Sequence, residues 1–239
     1  MSYVVFTAAF FTAVLTLLTG FGLATILTPI FSYMYDIKIA VLLVAVVHFL
    51  NNLLKVVLFR KDISITVLKR FGILSIIGAL VGSLSQAYIY SGSLKVFLGV
   101  VLVFLGLKEV LPRLEGWKIP QRYDTFGGFF SGLLGGLIGN QGAIRSAYLL
   151  NYPISKETFI VSAATIACLV DAARIPVYLY HYHSELAQQF LPLAIVTALT
   201  FLGTLVGKRL LPYISLERFK KFVAAMVILL GVCMTIGLL

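Results

Sequence analysis

The sequence predicts an all-α polytopic membrane protein made of two inverted repeats, each a re-entrant (broken) helix hairpin followed by three transmembrane helices. Three observations predict it. The composition is more apolar than a soluble domain allows. Two apolar segments in corresponding places are interrupted by glycine-rich breaks. Lysine and arginine crowd into some loops and avoid others.

Of the 239 residues, 60% are hydrophobic and 12% are charged, and the mean hydropathy is +1.03. A soluble domain carries roughly 25% charged residues, so the chain is read as membrane-embedded. Met1–Leu18 has no basic start and runs straight into the first break, unlike a cleaved signal. Cys168 and Cys233 sit inside apolar segments and read as small hydrophobes rather than a disulfide. The net charge of +10 follows the loops and calls for no nucleic acid. No phosphate loop, Ser-His-Asp set or metal-ligand spacing occurs, so the reading includes no enzyme, no cofactor and no metal.

In chain order, Val4–Leu18 is a first apolar arm and Leu23–Tyr33, with Pro29, a second. Thr19-Gly20-Phe21-Gly22 separates them. Each arm falls short of the about 20 residues that cross a bilayer. Non-helical backbone at that depth persists only inside protein or along a watery cavity. Ile39–Phe59 reads as a full span, followed by the basic loop Arg60–Arg70 and the spans Phe71–Tyr90 and Leu94–Leu111. Residues 112–124 are a polar linker holding Trp117, between a first repeat at 1–111 and a second at 125–239.

The second repeat follows the same plan. Phe129–Ile138 and Ala143–Leu150 flank Gly139-Asn140-Gln141-Gly142, and the spans Thr158–Tyr180, Leu186–Gly207 and Phe219–Leu239 follow. Gly78-Ala-Leu-Val-Gly82 echoes Gly203-Thr-Leu-Val-Gly207, and Lys55 falls opposite Arg174 when the breaks are superposed. Glycines spaced in this way let helices approach closely. Paired broken helices in matching positions of two halves point to a transporter's binding site.

Charge sets the orientation. Arg60, Lys61, Lys69 and Arg70 mark one loop, Lys108, Arg113, Lys118 and Arg122 the linker region, and Lys208, Arg209, Arg218, Lys220 and Lys221 a third. Residues 181–189 hold neither lysine nor arginine. Residues 91–94 hold none either, with Lys95 just beyond, and the positive-inside rule places the three rich loops in the cytoplasm and the two poor ones outside. Two apolar segments separate the linker from residues 181–189, and two full crossings would bring the chain back inside. The second broken segment therefore enters and leaves on one side, and the same parity applies to the first. If both broken segments crossed fully, the architecture would be eight spans with parallel halves.

In such hairpins the second arms begin at Gly22 and Gly142, with free N–H groups and a positive dipole end at the centre. Gly20, Gly22, Gly139 and Gly142 let the backbone approach a ligand, and Asn140 and Gln141 add amide groups. Arg145, in the first turn of the second arm, costs at least about 2.5 kcal/mol to insert. Its planar fork matches the oxygens of sulfonate, carboxylate or phosphate; a cap on hairpin carbonyls is its structural alternative. His48, Asn51, Asn52 and Lys55 form one polar stripe at i, i+3, i+4 and i+7. His48 lies about 14 Å into its span, as a ligand donor, a proton-sensitive group or a satisfied neutral histidine. Lys55 is expected to snorkel toward the cytoplasmic end, with ligand contact as its alternative. Asp171 and Arg174 make an i, i+3 ion pair, with Arg174 a further anion ligand and Asp171 a further proton relay. Pro176 is expected to kink that helix.

His181, His183 and Glu185 are read as external residues rather than a metal site. Tyr33, Tyr35, Tyr88, Tyr90, Tyr178, Tyr180 and Tyr182 cluster at span ends as an aromatic belt.

The run Gly128-x3-Gly132-x2-Gly135-Gly136-x2-Gly139-x2-Gly142, with Tyr148-Leu-Leu and Arg174-x3-Tyr178 downstream, resembles the second repeat of the TauE/SafE sulfite exporter family. Thr19-Gly-Phe-Gly22 with Pro29 resembles its first. The resemblance implies a secondary transporter of sulfonate, sulfite or sulfoacetate-type anions in a bacterial-type inner (plasma) membrane. The sequence departs from the family in keeping one glycine after each break, Gly22-Leu-Ala and Gly142-Ala-Ile, and in adding Arg145. The partners expected are a small anion and the lipid bilayer, with a homodimer left open. An anion channel and a non-transporting assembly protein are the alternative readings.

Overall fold

The structure, a computed structural model, describes residues 3–19, 22–111, 120–149, 152–210, 213 and 216–238. Among these residues it is all helix and turn, without a strand. Helices α1 (Tyr3–Thr19) and α2 (Leu23–Ser32) form the first broken segment. The Asp36 carboxylate accepts from the Lys38 N–H at 2.9 Å and caps α3 (Ile37–Phe59). After a 3-10 turn, α4 (Ile65–Val67) and a π-turn at Leu68–Gly72 lead into α5 (Ile73–Gln86), then α6 (Ser91–Val110). Helices α7 (Asp124–Ile138) and α8 (Gly142–Leu149) form the second broken segment. The chain closes with α9 (Lys156–Gln188), capped by Ser155, α10 (Phe190–Leu210) and α11 (Leu216–Thr235).

Four stretches among the described residues are long and apolar enough to cross a membrane: Ile37–Asp62, Ile65–Gln86, Lys156–Gln188 and Phe190–Leu210. The arms of both broken segments are shorter, as their sequence predicts.

Helices pair across the two halves rather than with their chain neighbours. α1 packs on α10, α7 on α5, α3 on α9 and α6 on α11. Glycine makes these contacts close. A Cβ on Gly78 or Gly82 would land on the Phe129 or Leu133 carbonyl of α7, and one on Gly203 or Gly207 would meet the Phe10 or Val14 carbonyl of α1. The two echoing glycine motifs thus do the same steric job in two places. Gly99 and Gly231 face each other's carbonyls between α6 and α11. Outward faces carry Ile77 and Leu84 on α5, Phe97 and Phe104 on α6, and Leu202 on α10, all exposed as lipid-facing residues are.

The structure corrects several expectations. Residues 181–188 are helical, so α9 runs on from the expected span and meets α10 after Gln189 alone. The departure from helical φ/ψ in α9 falls at Tyr182, not at Pro176. A helix whose neighbours resatisfy the freed groups tolerates an internal proline. The basic loop 60–70 is largely helical, and α7 starts at Asp124, taking in the end of the linker. Tyr33, Tyr88, Tyr90 and Tyr180 are exposed as the belt requires, but Tyr178 is buried because its hydroxyl has a partner inside.

Candidate functional site

The two breaks meet. Helix α7 ends on Gly139 at φ 77, whose N–H donates to the Gly135 carbonyl at 3.0 Å. Only glycine adopts this left-handed conformation without strain. The Ser131 hydroxyl donates to the Gln141 carbonyl at 2.8 Å and ties the break back to α7. In the first segment Gly22 sits at φ 126 ahead of α2. From α2, the Thr25 hydroxyl donates to Asn140 Oδ1 at 3.2 Å. Thr28 Oγ1 lies 3.3 Å from where a Gly139 Cβ would stand. Gly20 is outside the described residues.

The second wall comes from α3 and α9. His48 Nδ1 is 2.6 Å from Asp171 Oδ2, so Nδ1 carries the proton in that bond. Asp171 Oδ1 accepts from Arg174 Nε at 2.9 Å and from Gln141 Nε2 at 3.2 Å. The second Arg174 amino group lies 2.8 Å from the same oxygen, and this is the i, i+3 pair read from the sequence. Arg174 also donates to the Gly135 carbonyl at 2.5 Å, and the Tyr178 hydroxyl donates to the Gly136 carbonyl. Arg174 and Tyr178, rather than Arg145, therefore cap the carbonyls at the end of α7. Asn52 Nδ2 turns back to the His48 carbonyl at 2.8 Å, and Asn51 Oδ1 accepts from Thr204 of α10 at 2.7 Å.

Arg145 reaches this network from α8. It donates to Gln141 Oε1 at 3.2 Å, and among the described residues Nε has no partner although the residue is only 2% exposed. Lys55 is 3% exposed, so it is buried rather than snorkelling. Its electrostatic neighbours are Arg145 and Cys168. Without the Asp171 carboxylate, Arg174 would be stranded in a low-dielectric interior. Among the described residues, the buried charge-bearing side chains near the breaks are thus Lys55, Arg145 and Arg174 against Asp171 alone. The other buried carboxylate among the described residues, Asp124, stands at the opposite end of α7, where it accepts from the Tyr152 hydroxyl. Burial, and then this hydrogen bond, push Tyr152 up to about 12.

Further buried donors lack partners: Thr28 Oγ1, Asn51 Nδ2, Asn140 Nδ2 and Ser146 Oγ. A donor left unpaired inside costs about 1–3 kcal/mol. Excess positive charge and unpaired donors together make a site electrostatically suited to an anion.

Of the sequence candidates, Gly22, His48, Asn51, Asn52, Gly139, Asn140, Gln141, Gly142, Arg145, Asp171 and Arg174 all belong to this pair of walls. His181 and His183 do not, and no metal-binding cluster occurs among the described residues. Sequence reading missed Thr25, Thr28, Ser146 and Tyr178 as parts of the site. The i, i+3 spacing of Thr25 and Thr28 behind Gly22 was the available signal, because two hydroxyls on one face of a short apolar arm need company.

A family model described as sulfite exporter TauE/SafE matches residues 5–234. No curated protein and no solved structure matches the chain.

Proposed function

The chain belongs to the TauE/SafE sulfite exporter family, and from that premise we propose a secondary transporter of small sulfur-containing anions of the sulfonate, sulfite or sulfoacetate type, working by alternating access. Members of the family are transporters rather than enzymes. In this reading the broken segments are re-entrant hairpins of two inverted repeats, and α6 and α11 join the four long helices as spans of an inner (plasma) membrane. The reciprocal packing of α1 on α10 and α7 on α5, through equivalent glycines, supports the repeat.

The anion rests where the breaks meet, between the first turns of α2 and α8. Gln141, held by Asp171, positions Arg145, and Arg174 keeps the end of α7 closed. Proton coupling is assigned to His48 and Asp171, whose charged surroundings are Arg174 and Arg145.

One observation carries the reading: among the described residues the buried Arg145 guanidinium has no carboxylate of its own, and its Nε is left for a ligand. Saturable uptake of a labelled sulfonate into proteoliposomes tests it. Arg145→Lys keeps the charge but loses the planar fork, and part of the uptake remains. Arg145→Gln removes the charge, and uptake is lost. Full uptake by Arg145→Gln would place the anion elsewhere.

A further inference from the structure

Lys55 and Arg145 are cations buried on different helices, α3 and α8, with neither paired to a carboxylate among the described residues. Asp171 is taken by Arg174, His48 and Gln141. The Asp171–Arg174 pair is neutral, and a neutral His48 is enough to satisfy the other Asp171 oxygen through Nδ1–H. Two basic side chains are left over with no carboxylate among the described residues to balance them.

Their placement follows from the helix faces. Lys55 lies one turn beyond Asn51 and Asn52 on the stripe that begins at His48, and all four are buried, His48 against Asp171 of α9 and Asn51 against Thr204 of α10. Cys168, one turn before Asp171, packs on that stretch of α3, with its sulfur 3.9 Å from the Phe49 carbonyl. Arg145 lies one turn into α8, beyond the Gln141 that bonds Asp171. The unpartnered Nε of Arg145 and the unpaired Ser146 hydroxyl belong to the same turn.

We propose that Lys55 makes this site selective for doubly charged oxyanions, acting as the second cation beside Arg145. The inference rests on the anion-transport reading and adds the charge class of the ligand to it. A single negative charge leaves one cation uncompensated in a low-dielectric interior, whereas two bring the core to neutrality. Lys55 recognises the second charge, and Arg145 the first.

Calorimetry on the purified full-length chain tests this with sulfoacetate and ethanesulfonate, which are close in size and differ by one carboxylate. The wild-type protein binds sulfoacetate at least about tenfold more tightly, the scale of one buried charge pair. Lys55→Met loses that preference, its sulfoacetate affinity falling about tenfold or more while ethanesulfonate shifts by less than about threefold. Lys55→Arg restores it. Equal wild-type affinities for the two anions would overturn the inference without any variant, as would a parallel loss of both in Lys55→Met. No binding of either anion by the wild-type protein would instead remove the transport reading itself.

Discussion

The imidazole of His48 and the carboxylate of Asp171 meet at 2.6 Å across two helices, 123 residues apart in the chain. Asp171 is wholly buried and also accepts from Arg174 and Gln141. One carboxylate thus ties together α3, α9 and the break ahead of α8. Asp171→Ala strands the Arg174 guanidinium in the interior and lowers unfolding stability by about 3–5 kcal/mol. Thermal unfolding in detergent measures it, and a loss below about 1 kcal/mol would mean that water replaces the carboxylate.

His48→Gln keeps a hydrogen-bond donor near Asp171, and its stability loss is smaller, about 0.5–1.5 kcal/mol. What changes is coupling. Uptake driven by a pH gradient falls to the rate seen without one, while exchange of labelled for unlabelled anion across the same liposomes continues. Uptake that still follows the pH gradient would remove His48 from the proton path.

The α5–α7 contact gives a steric test. A Cβ on Gly132 would lie on the Ser75 carbonyl and one on Gly78 on the Phe129 carbonyl, and each partner is backbone that cannot step aside. Gly132→Ala and Gly78→Ala each cost about 1–3 kcal/mol. Gly72 is the control, since its Cβ would meet side-chain atoms at 3.6 Å and beyond. Gly72→Ala shifts stability by no more than about 0.5 kcal/mol. Equal losses at Gly72 and Gly132 would show that close packing is not what these glycines supply.

Gly22 separates backbone strain from crowding. Its φ is 126, yet a Cβ there would approach nothing nearer than Thr16 Oγ1 at 3.9 Å. Gly22→Ala therefore loses about 1–2 kcal/mol through conformation alone. Gly139→Ala, at φ 77 and 3.3 Å from Thr28 Oγ1, loses at least as much. Paired melting curves check the order, and a neutral Gly22→Ala would mean that the first break relaxes freely.

Orientation is tested from the surface. Ser184 and Gln121 are both exposed. In a chain without other reactive cysteines, Ser184→Cys labels from outside the cell and Gln121→Cys only from inside. Labelling of Ser184→Cys from the inside alone would replace the re-entrant hairpins with full crossings.

Helicity, membrane class and the positions of both breaks were legible in the sequence because they are local properties. Runs of apolar residues, glycine with an Asn-Gln pair and an acid three residues from a base act over a few residues, and each appears where its pattern places it. Gly139 takes the left-handed conformation that ends α7, and Asp171 finds Arg174 one turn on. The stripe from His48 to Lys55 was legible too, but the burial of Lys55 at its far end was not.

The tertiary structure decided which distant surfaces would meet. Nothing near His48 in sequence names Asp171, and nothing near Arg174 or Tyr178 names the carbonyls of Gly135 and Gly136. Arg145 and Arg174 are both guanidiniums inside apolar segments, and only Arg174 has an acid three residues away. Arg174 finds a carboxylate and a helix end, while Arg145 finds one amide oxygen and keeps a donor free. The difference is made by α7 folding onto α5 and α1 onto α10, because backbone-to-backbone contact at glycine positions fixes how deep each break sits and which side chains it faces.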